Sequence, residues 1–464
     1  MCRFQRLWNN GEAITIQQRN ELGFAVGALG WSLFGQSELE EATPYLLEAA
    51  KLDEETDQPE QEAWIYCMLA AAANRRSQFD EARHFYQRAL NLAREVDDGR
   101  TISNALLGLG KIAAKRGKYH VSRRHLDEGL VTSRRHGIVS FEIHSLVGLG
   151  QMWETLGDLE SAAKCLEEAV VIARAFGKDP LTTESLNALA HLRVSQDDYQ
   201  AAQRLYDEAA ALLEMQDTPE DEIQNLAGRG RLAPYQGEYV VGERLYRAAV
   251  AMSHETGNRL DVGRALVGLG LALHVSEHNS EARKQLIAAL GEGLSVESDP
   301  LLLDSMSALS VVLAAEADYA YAAQLAALVQ RHYASTAETR NRATAVLDDV
   351  TPHLSSLILE RIMRNESADI ASVGRRLIAD FSPPRDDALE PTSVAEDVTR
   401  IEPLSDRELQ ILRLVADGRS NREIGRELYV AMGTVKSHLQ DIFQKLDVKS
   451  RTQAAARAAD LNLL

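Results

Sequence analysis

A chain of 464 residues, 45% hydrophobic and 26% charged, has enough apolar surface for two or more domains. Only 6% of residues are aromatic, Ala and Leu dominate and β-branched runs are few, which predicts an all-α protein. A net charge of −19 argues against a protein that coats nucleic acid. The three scattered cysteines, Cys2, Cys67 and Cys165, exclude a disulfide or zinc framework.

Along the first 330 residues a period of 40 dominates. A small residue recurs at Gly30, Ala70, Gly110, Gly150, Ala190, Gly230, Gly270 and Ser310. A second recurs at Ala42, Ala82, Ser122, Ala162, Ala202, Gly242, Ala282 and Ala322, and a third at Ala49, Ala89, Gly129, Ala169, Ala209, Ala249 and Ala289. Large residues sit between them, at Phe79, Tyr119, Tyr199, Tyr239 and Tyr319, and at Leu46, Tyr86, Leu126, Leu166, Tyr206, Tyr246 and Leu286. Small residues twelve and then seven apart let two antiparallel helices approach closely, with the large side chains filling the gaps. Gly117, Gly157 and Gly237 end first helices; Gly137, Gly177 and Gly257 end second ones. Eight repeats predict an α-solenoid of sixteen helices over residues 1–336. The spacing resembles tetratricopeptide repeats, with a connector about six residues longer after each second helix. Cys2 to Trp8 reads as the tail of an earlier second helix, so the array begins in mid-repeat.

The concave face of such a solenoid is formed mainly by the first helix of each pair. Inward positions predict Trp64, Asn104, Lys111, His144, Gln151, Glu154, Asn187, His191, Arg231, Arg264 and His274. Lys111, His144, Asn187, His191, Arg231, Arg264 and His274 are the candidate groove for a peptide, protein or small-molecule effector. A solvated groove without a dedicated ligand is the plain alternative. The histidines lack His-x3-His spacing, so no metal is assigned. No Ser-His-Asp spacing, phosphate loop or paired-carboxylate motif stands out, so no enzyme activity and no cofactor is expected.

From 337 to 381 the period is lost but helical patterning continues in Ala343–Val350, Leu354–Met363 and Ile370–Ile378, and the segment resembles the degenerate helical cap that closes the last repeat of other such arrays. Ser382-Pro383-Pro384 opens a linker over 382–403 with six acids against Arg385 and Arg400. As a flexible coil it spans roughly 25 Å on average.

Residues 404–464 form the last unit. Ser405 and Glu408 make a capping box before Leu409, Leu412, Val415 and Ala416, and Gly418 stops that helix. Ser420-Asn421 starts a second helix with Ile424 and Leu428 inward. A third, from about Met432 to Leu446, carries the apolar stripe Val435, Leu439, Ile442, Phe443 and Leu446. Thr434, Lys436, Ser437 and Gln440 project elsewhere near its N-terminal end, where such helices meet base edges. Arg422, His438, Lys445, Lys449 and Arg451 surround them with phosphate donors. Ser450 caps a fourth helix. The plain alternative is a helical bundle whose charges are a solvated face. Residues 401–464 hold ten Lys and Arg against nine Asp and Glu, +1, so the other 400 residues carry −20.

Leu404-Ser405-x-Arg407-Glu408, Gly418-x-Ser420-Asn421-x-Glu423-Ile424, Thr434-Val435-Lys436-x-His438 and Lys445-Leu446-x-Val448 together resemble the LuxR-type (NarL/FixJ) DNA-binding domain. The resemblance implies a four-helix, helix-turn-helix domain that binds duplex DNA as a dimer. Lys436, Ser437 and Gln440 match its groove-facing positions; Thr434, His438, Lys445 and Arg451 match backbone-contacting ones. Two departures stand out. Ala431 replaces a usual capping Ser, a loss of roughly 1 kcal/mol, and Gly433 loosens the first turn. The repeats, cap and terminal domain resemble the carboxyl half of large bacterial regulators that also carry an ATPase, but no Gly-x4-Gly-Lys-[Ser/Thr] loop is present.

The expected function is a cytoplasmic bacterial transcription regulator whose repeats sense a partner or ligand and control the terminal domain. The alternative is a repeat scaffold whose helix-turn-helix no longer binds DNA. No apolar run reaches the 18 residues of a membrane span and no signal-peptide pattern is seen, so no membrane partner is expected.

Overall fold

A computed structural model describes residues 15–35, 39–216, 218–364, 369–381 and 406–416, and beyond them Arg419, Ile424, Val435, His438, Leu439, Ile442, Val448 and Ala454. The tail expected at Cys2–Trp8 lies outside the described residues. Among those described, the regular structure is helical throughout.

Eight helix pairs follow the 40-residue period. They are α1 (Ile16–Gly35) and α2 (Leu39–Glu55), α3 (Pro59–Arg75) and α4 (Phe79–Glu95), α5 (Gly99–Lys115) and α6 (Tyr119–His136), α7 (Val139–Leu156) and α8 (Leu159–Phe176). The array continues with α9 (Asp179–Ser195) and α10 (Tyr199–Leu213), α11 (Pro219–Leu232) and α12 (Tyr239–Glu255), α13 (Arg259–Val275) and α14 (Asn279–Ser295), and α15 (Asp299–Ala315) and α16 (Tyr319–Arg331). A 3-10 turn, Ala233–Gln236, extends α11. After the repeats come α17 (Ala337–Val350), α18 (Ser356–Arg364), α19 (Ile370–Phe381) and α20 (Asp406–Ala416).

Local chemistry sets the helix ends. Asp98, Asp158, Asp198 and Asn258 accept backbone N–H bonds at the starts of α5, α8, α10 and α13. Gly137, Gly157 and Gly177 end α6, α7 and α8 at φ 67°, 90° and 72°, the left-handed cap that glycine adopts without strain. Other repeats place Ser77, Asp97 or Asp197 at the same positive φ, at a cost of about 1 kcal/mol each.

The small-residue positions are contact points between helices. A Cβ added at Gly30, Gly110, Gly150 or Gly270 would come 2.7, 2.7, 2.4 or 2.6 Å from Leu46, Leu126, Leu166 or Leu286. One leucine per pair thus lies against bare backbone of its partner helix. Where the large residue is Tyr86, Tyr206 or Tyr246, the next pair supplies Gly108, Gly228 or Gly268, and a Cβ there would stand 2.1–2.5 Å from the ring. Successive second helices are linked on the surface by Arg94–Glu128, by Arg134–Glu168 at 2.5 Å and by Arg174–Glu208 at 2.7 Å. These pairs are about half exposed and contribute little each.

The described residues form two compact units. The first takes in the described residues within 1–308, 329–341 and 368–381; the second takes in those within 309–328, 342–367 and 382–464. Within the first, turns of early repeats meet turns of later ones. Ser298 Oγ donates to the Lys115 carbonyl at 2.7 Å, Arg116 pairs with Glu297 at 2.6 Å, and Arg75 lies 3.5 Å from Glu220. Helix α19 packs on α14, where Gly374 lets the two approach and Arg283 lies 5.4 Å from the Phe381 ring centre. The segment expected to cap the last repeat therefore reaches the seventh pair through α19. The chain just before it and its first residues, 334–338, reach further back, to the third, fourth and sixth pairs. In the second unit, Ile411, Leu412, Val415, Ile424, Val435, Leu439, Ile442 and Ala454 form one buried cluster.

Candidate ligand groove and nucleic-acid interface

The inward faces of α5, α7, α9 and α11 bring two polar clusters together. In the first, Lys111 Nζ lies 3.3 Å from Glu184 Oε1 and His144 Nδ1 lies 2.6 Å from Glu184 Oε2. Burial would raise the Glu184 carboxyl, but Lys111 and His144 hold it far below the ordinary carboxylate range. Asp221 lies beside this charge. Burial, and then Glu184, raise its carboxyl to about 7.

The second cluster centres on Arg231. Glu154 Oε1 accepts from Ser195 Oγ at 2.6 Å and lies 2.9 Å from His191 Nδ1. The Arg231 guanidinium rests against the imidazole, with Nη1 3.2 Å from Nε2, and its Nη2 donates to Ser195 Oγ at 3.3 Å and to Glu338 Oε2 at 3.1 Å. Burial opposes ionisation of Glu154, yet His191, Ser195 and Arg231 hold its pKa below the usual value. Both clusters are ionic networks in which most charges already have partners.

Other expected groove residues sit differently. Asn187 is buried, not on the groove surface: it donates to the Asp221 carbonyl at 3.1 Å and accepts from Asn225 at 2.9 Å, tying α9 to α11. His274 Nδ1 lies 2.8 Å from Asn279 Oδ1. Arg264 is largely exposed, 3.9 Å from Asp261, and Gln151 is exposed. Trp64 and Asn104 are half-buried; Trp64 lies 6.4 Å from Trp31 with Arg100 over its ring. Glu184 is not among the expected groove residues, although it shares the repeat register of Trp64, Asn104, His144 and Arg264. Ser195 and Glu338 are not among them either. Among the described residues no group of three or more His, Cys, Asp or Glu is arranged to hold a metal.

In the C-terminal segment the buried cluster coincides with expected inward positions Leu412, Val415, Ile424, Val435, Leu439 and Ile442. Ala416 is a correction: it is exposed, and Ile411 and Leu414 face the core side of α20 instead. The inward stripe is Ile411, Leu412 and Val415; Ala416 shares the side of Leu412, four residues earlier, but is the last residue of the helix, Asp406–Ala416. Arg419 N donates to the Leu414 carbonyl at 3.0 Å, closing the end of the helix. His438, beside buried Leu439, is half-buried. Thr434, Lys436, Ser437, Gln440, Arg422, Lys445, Lys449 and Arg451 lie outside the described residues.

An all-helical repeat array followed by a helix-turn-helix core defines the class of this chain. Residues 402–458 match the bacterial regulatory proteins of the luxR family, and residues 61–130 and 141–215 match the tetratricopeptide repeat. The C-terminal segment is a LuxR-type domain and the segments ahead of it are tetratricopeptide repeats. The transcriptional regulatory protein LiaR of Bacillus subtilis is 54% identical over 57 residues, 12% of this chain and 27% of LiaR. The HTH-type transcriptional regulator MalT of Serratia proteamaculans is 36% identical over 110 residues, 24% of this chain and 12% of MalT. The chain thus spans about a quarter of the first relative and an eighth of the second. The Rap conjugation gene regulator of plasmid pLS20, solved with the Phr* peptide, superposes with a TM-score of 0.50 at 12% identity over 72% of this chain and 97% of that one. That likeness is one of fold.

Proposed function

We propose that this chain is a transcription regulator whose LuxR-type domain binds duplex DNA in a sequence-specific way, as a dimer, under control of the repeats. The observation that supports it is the single apolar core joining α20, Ile424, Val435, Leu439, Ile442 and Ala454 within the luxR-family match. By helical spacing in the sequence, Lys436, Ser437 and Gln440 fall off the Val435, Leu439 and Ile442 stripe, and they are the proposed contacts to base edges. Thr434, His438, Arg422, Lys445, Lys449 and Arg451 are the proposed phosphate contacts.

The repeats are the proposed sensor. Their inner face gathers Lys111, His144, His191 and Arg231 into paired polar clusters, a surface suited to a polar or anionic effector such as a peptide. The acidic body, at −20 outside the terminal domain, is proposed to mask it until an effector binds. Division into repeats (1–336), cap (337–381), linker (382–403) and DNA-binding domain (404–464) belongs to the same proposal, as does a cytoplasmic location. No described helix is long and apolar enough to cross a membrane.

Gel shift of genomic fragments by the full chain, and by Lys436→Ala with Gln440→Ala, tests the reading. Each lost base contact should weaken binding by roughly 1–3 kcal/mol. Absence of any shift would favour a repeat scaffold.

A further inference from the structure

The segment that follows the repeats lies against the third, fourth and sixth pairs. Tyr119 OH donates to the Ala334 carbonyl at 2.9 Å, and a Cβ on Gly117 would stand 2.5 Å from Ala334 Cβ. A Cβ on Gly157 would come 3.1 Å from Ala337. Glu338 then reaches Arg231. Ala334, Ser335 and Thr339 are buried, so the backbone here is fixed in place, yet the Glu338 side chain is 50% exposed.

Arg231 is in the opposite situation. Its side chain is 19% exposed and sits on the inner face, beside His191, which is 44% exposed. The nearby Glu154 carboxylate is taken up by His191 and Ser195. The carboxylate on the Arg231 fork is delivered from 107 residues away, by the chain that leads on toward the cap. The Lys111 cluster differs. There Glu184, on a repeat helix and only 16% exposed, closes the site permanently.

Resting on the sensor reading above, we infer that Arg231 with His191 is a carboxylate-binding site for an acidic peptide, and that Glu338 is its internal occupant. An acidic peptide in the groove takes Glu338's place on the guanidinium, whose planar fork suits carboxylate. Displacing Glu338 frees one anchor of the segment after the repeats, the one on the sixth pair. Affinity for the incoming ligand is reduced by the fraction of time Glu338 holds the site.

Fluorescence anisotropy with fluorescein-labelled hexaglutamate on the full chain at low salt tests this. On a chain of net charge −19 an anionic probe has no general attraction, so saturable binding requires a local cationic site. Glu338→Ala, a half-exposed substitution that leaves the fold intact, should tighten binding about tenfold over wild type. Adding Arg231→Gln should abolish that gain; Arg231→Lys, which keeps the charge without the fork, should retain part of it and reports on folding. Equal binding by wild type and Glu338→Ala, or full binding by the Arg231→Gln double variant, overturns the site. Glutarate as a competitor separates sources: if it binds as tightly as hexaglutamate, the assignment to a peptide is wrong. A protein that shifts genomic DNA but fails these tests loses this site and keeps its DNA-binding function; one that binds hexaglutamate as stated but shifts no DNA keeps the site and loses the regulator.

Discussion

Gly150 faces Leu166 across the fourth helix pair, and the reasoning behind the repeats can be tested there. An added Cβ would stand 2.4, 2.7 and 3.2 Å from Leu166 Cγ, Cδ2 and Cδ1. Leu166 is fully buried among Ala162, Ala169, Leu186 and Leu189, so it has little room to turn away. Overpacking of this kind costs about 1–3 kcal/mol. Alanine is about 1 kcal/mol better than glycine inside a helix, so Gly150→Ala should cost about 0–2 kcal/mol net. Leu166→Ala opens a cavity and should cost about 2–5 kcal/mol. In that background the clash is gone, and Gly150→Ala should stabilise by about 1 kcal/mol. The effect of the substitution therefore shifts from cost to gain with its neighbour, a coupling of about 1–3 kcal/mol. Urea titration of the full chain, followed by circular dichroism at 222 nm, gives the order of midpoints. Repeat arrays need not unfold in one step, so the order decides, not an extrapolated free energy. If Gly150→Ala lowers the midpoint equally in both backgrounds, close helix approach is not what the small residue serves.

Three further outcomes follow from burial within the repeats. Asp221 has a carboxyl raised to about 7 against an ordinary 3.8, so the folded chain binds an extra proton between those values. Stability from this site is greatest below pH 4 and declines as pH rises through 7. Asp221→Asn should raise the melting temperature at pH 8 by a few degrees and flatten the slope between pH 4 and 7; an unchanged slope would refute it. Asn187→Ala leaves the Asp221 carbonyl without its donor and should cost about 1–3 kcal/mol in the same urea assay, whereas a true groove residue would cost almost nothing. Cys67, fully buried with its thiol pushed up by burial, should resist DTNB in the folded protein, while half-buried Cys165 should react faster.

Much of the architecture was legible because each repeat must solve the same packing problem. The 40-residue register of Gly30, Gly110, Gly150 and Gly270 marks where a leucine meets bare backbone, and the periodic glycines mark left-handed helix ends. The pairing of Tyr86, Tyr206 and Tyr246 with Gly108, Gly228 and Gly268 was equally present in the sequence, twenty-two residues apart, and went unread. Asn187 was misplaced for a similar reason: its register holds Cys67, Leu107, Val147 and Val267, all buried, so its polarity misled where its position did not. Glu184 shares a register with His144 and was recoverable. Glu338 was not. It lies after the period ends, and nothing local ties it to Arg231 across 107 residues. In the terminal domain the apolar stripe could be read from spacing, but Ala416, small enough for either face, could not.

The central claim is that the terminal domain reads DNA. Recovery of genomic fragments bound by the purified full chain, followed by gel shift of the enriched fragment, tests it most directly. The account predicts one enriched sequence, with the affinity for it falling as salt rises. Lys436→Ala with Gln440→Ala should lose roughly 1–3 kcal/mol per base contact on that fragment while binding random DNA as before. Fragments recovered without sequence preference, or a double variant that binds the enriched fragment as tightly as wild type, would contradict it.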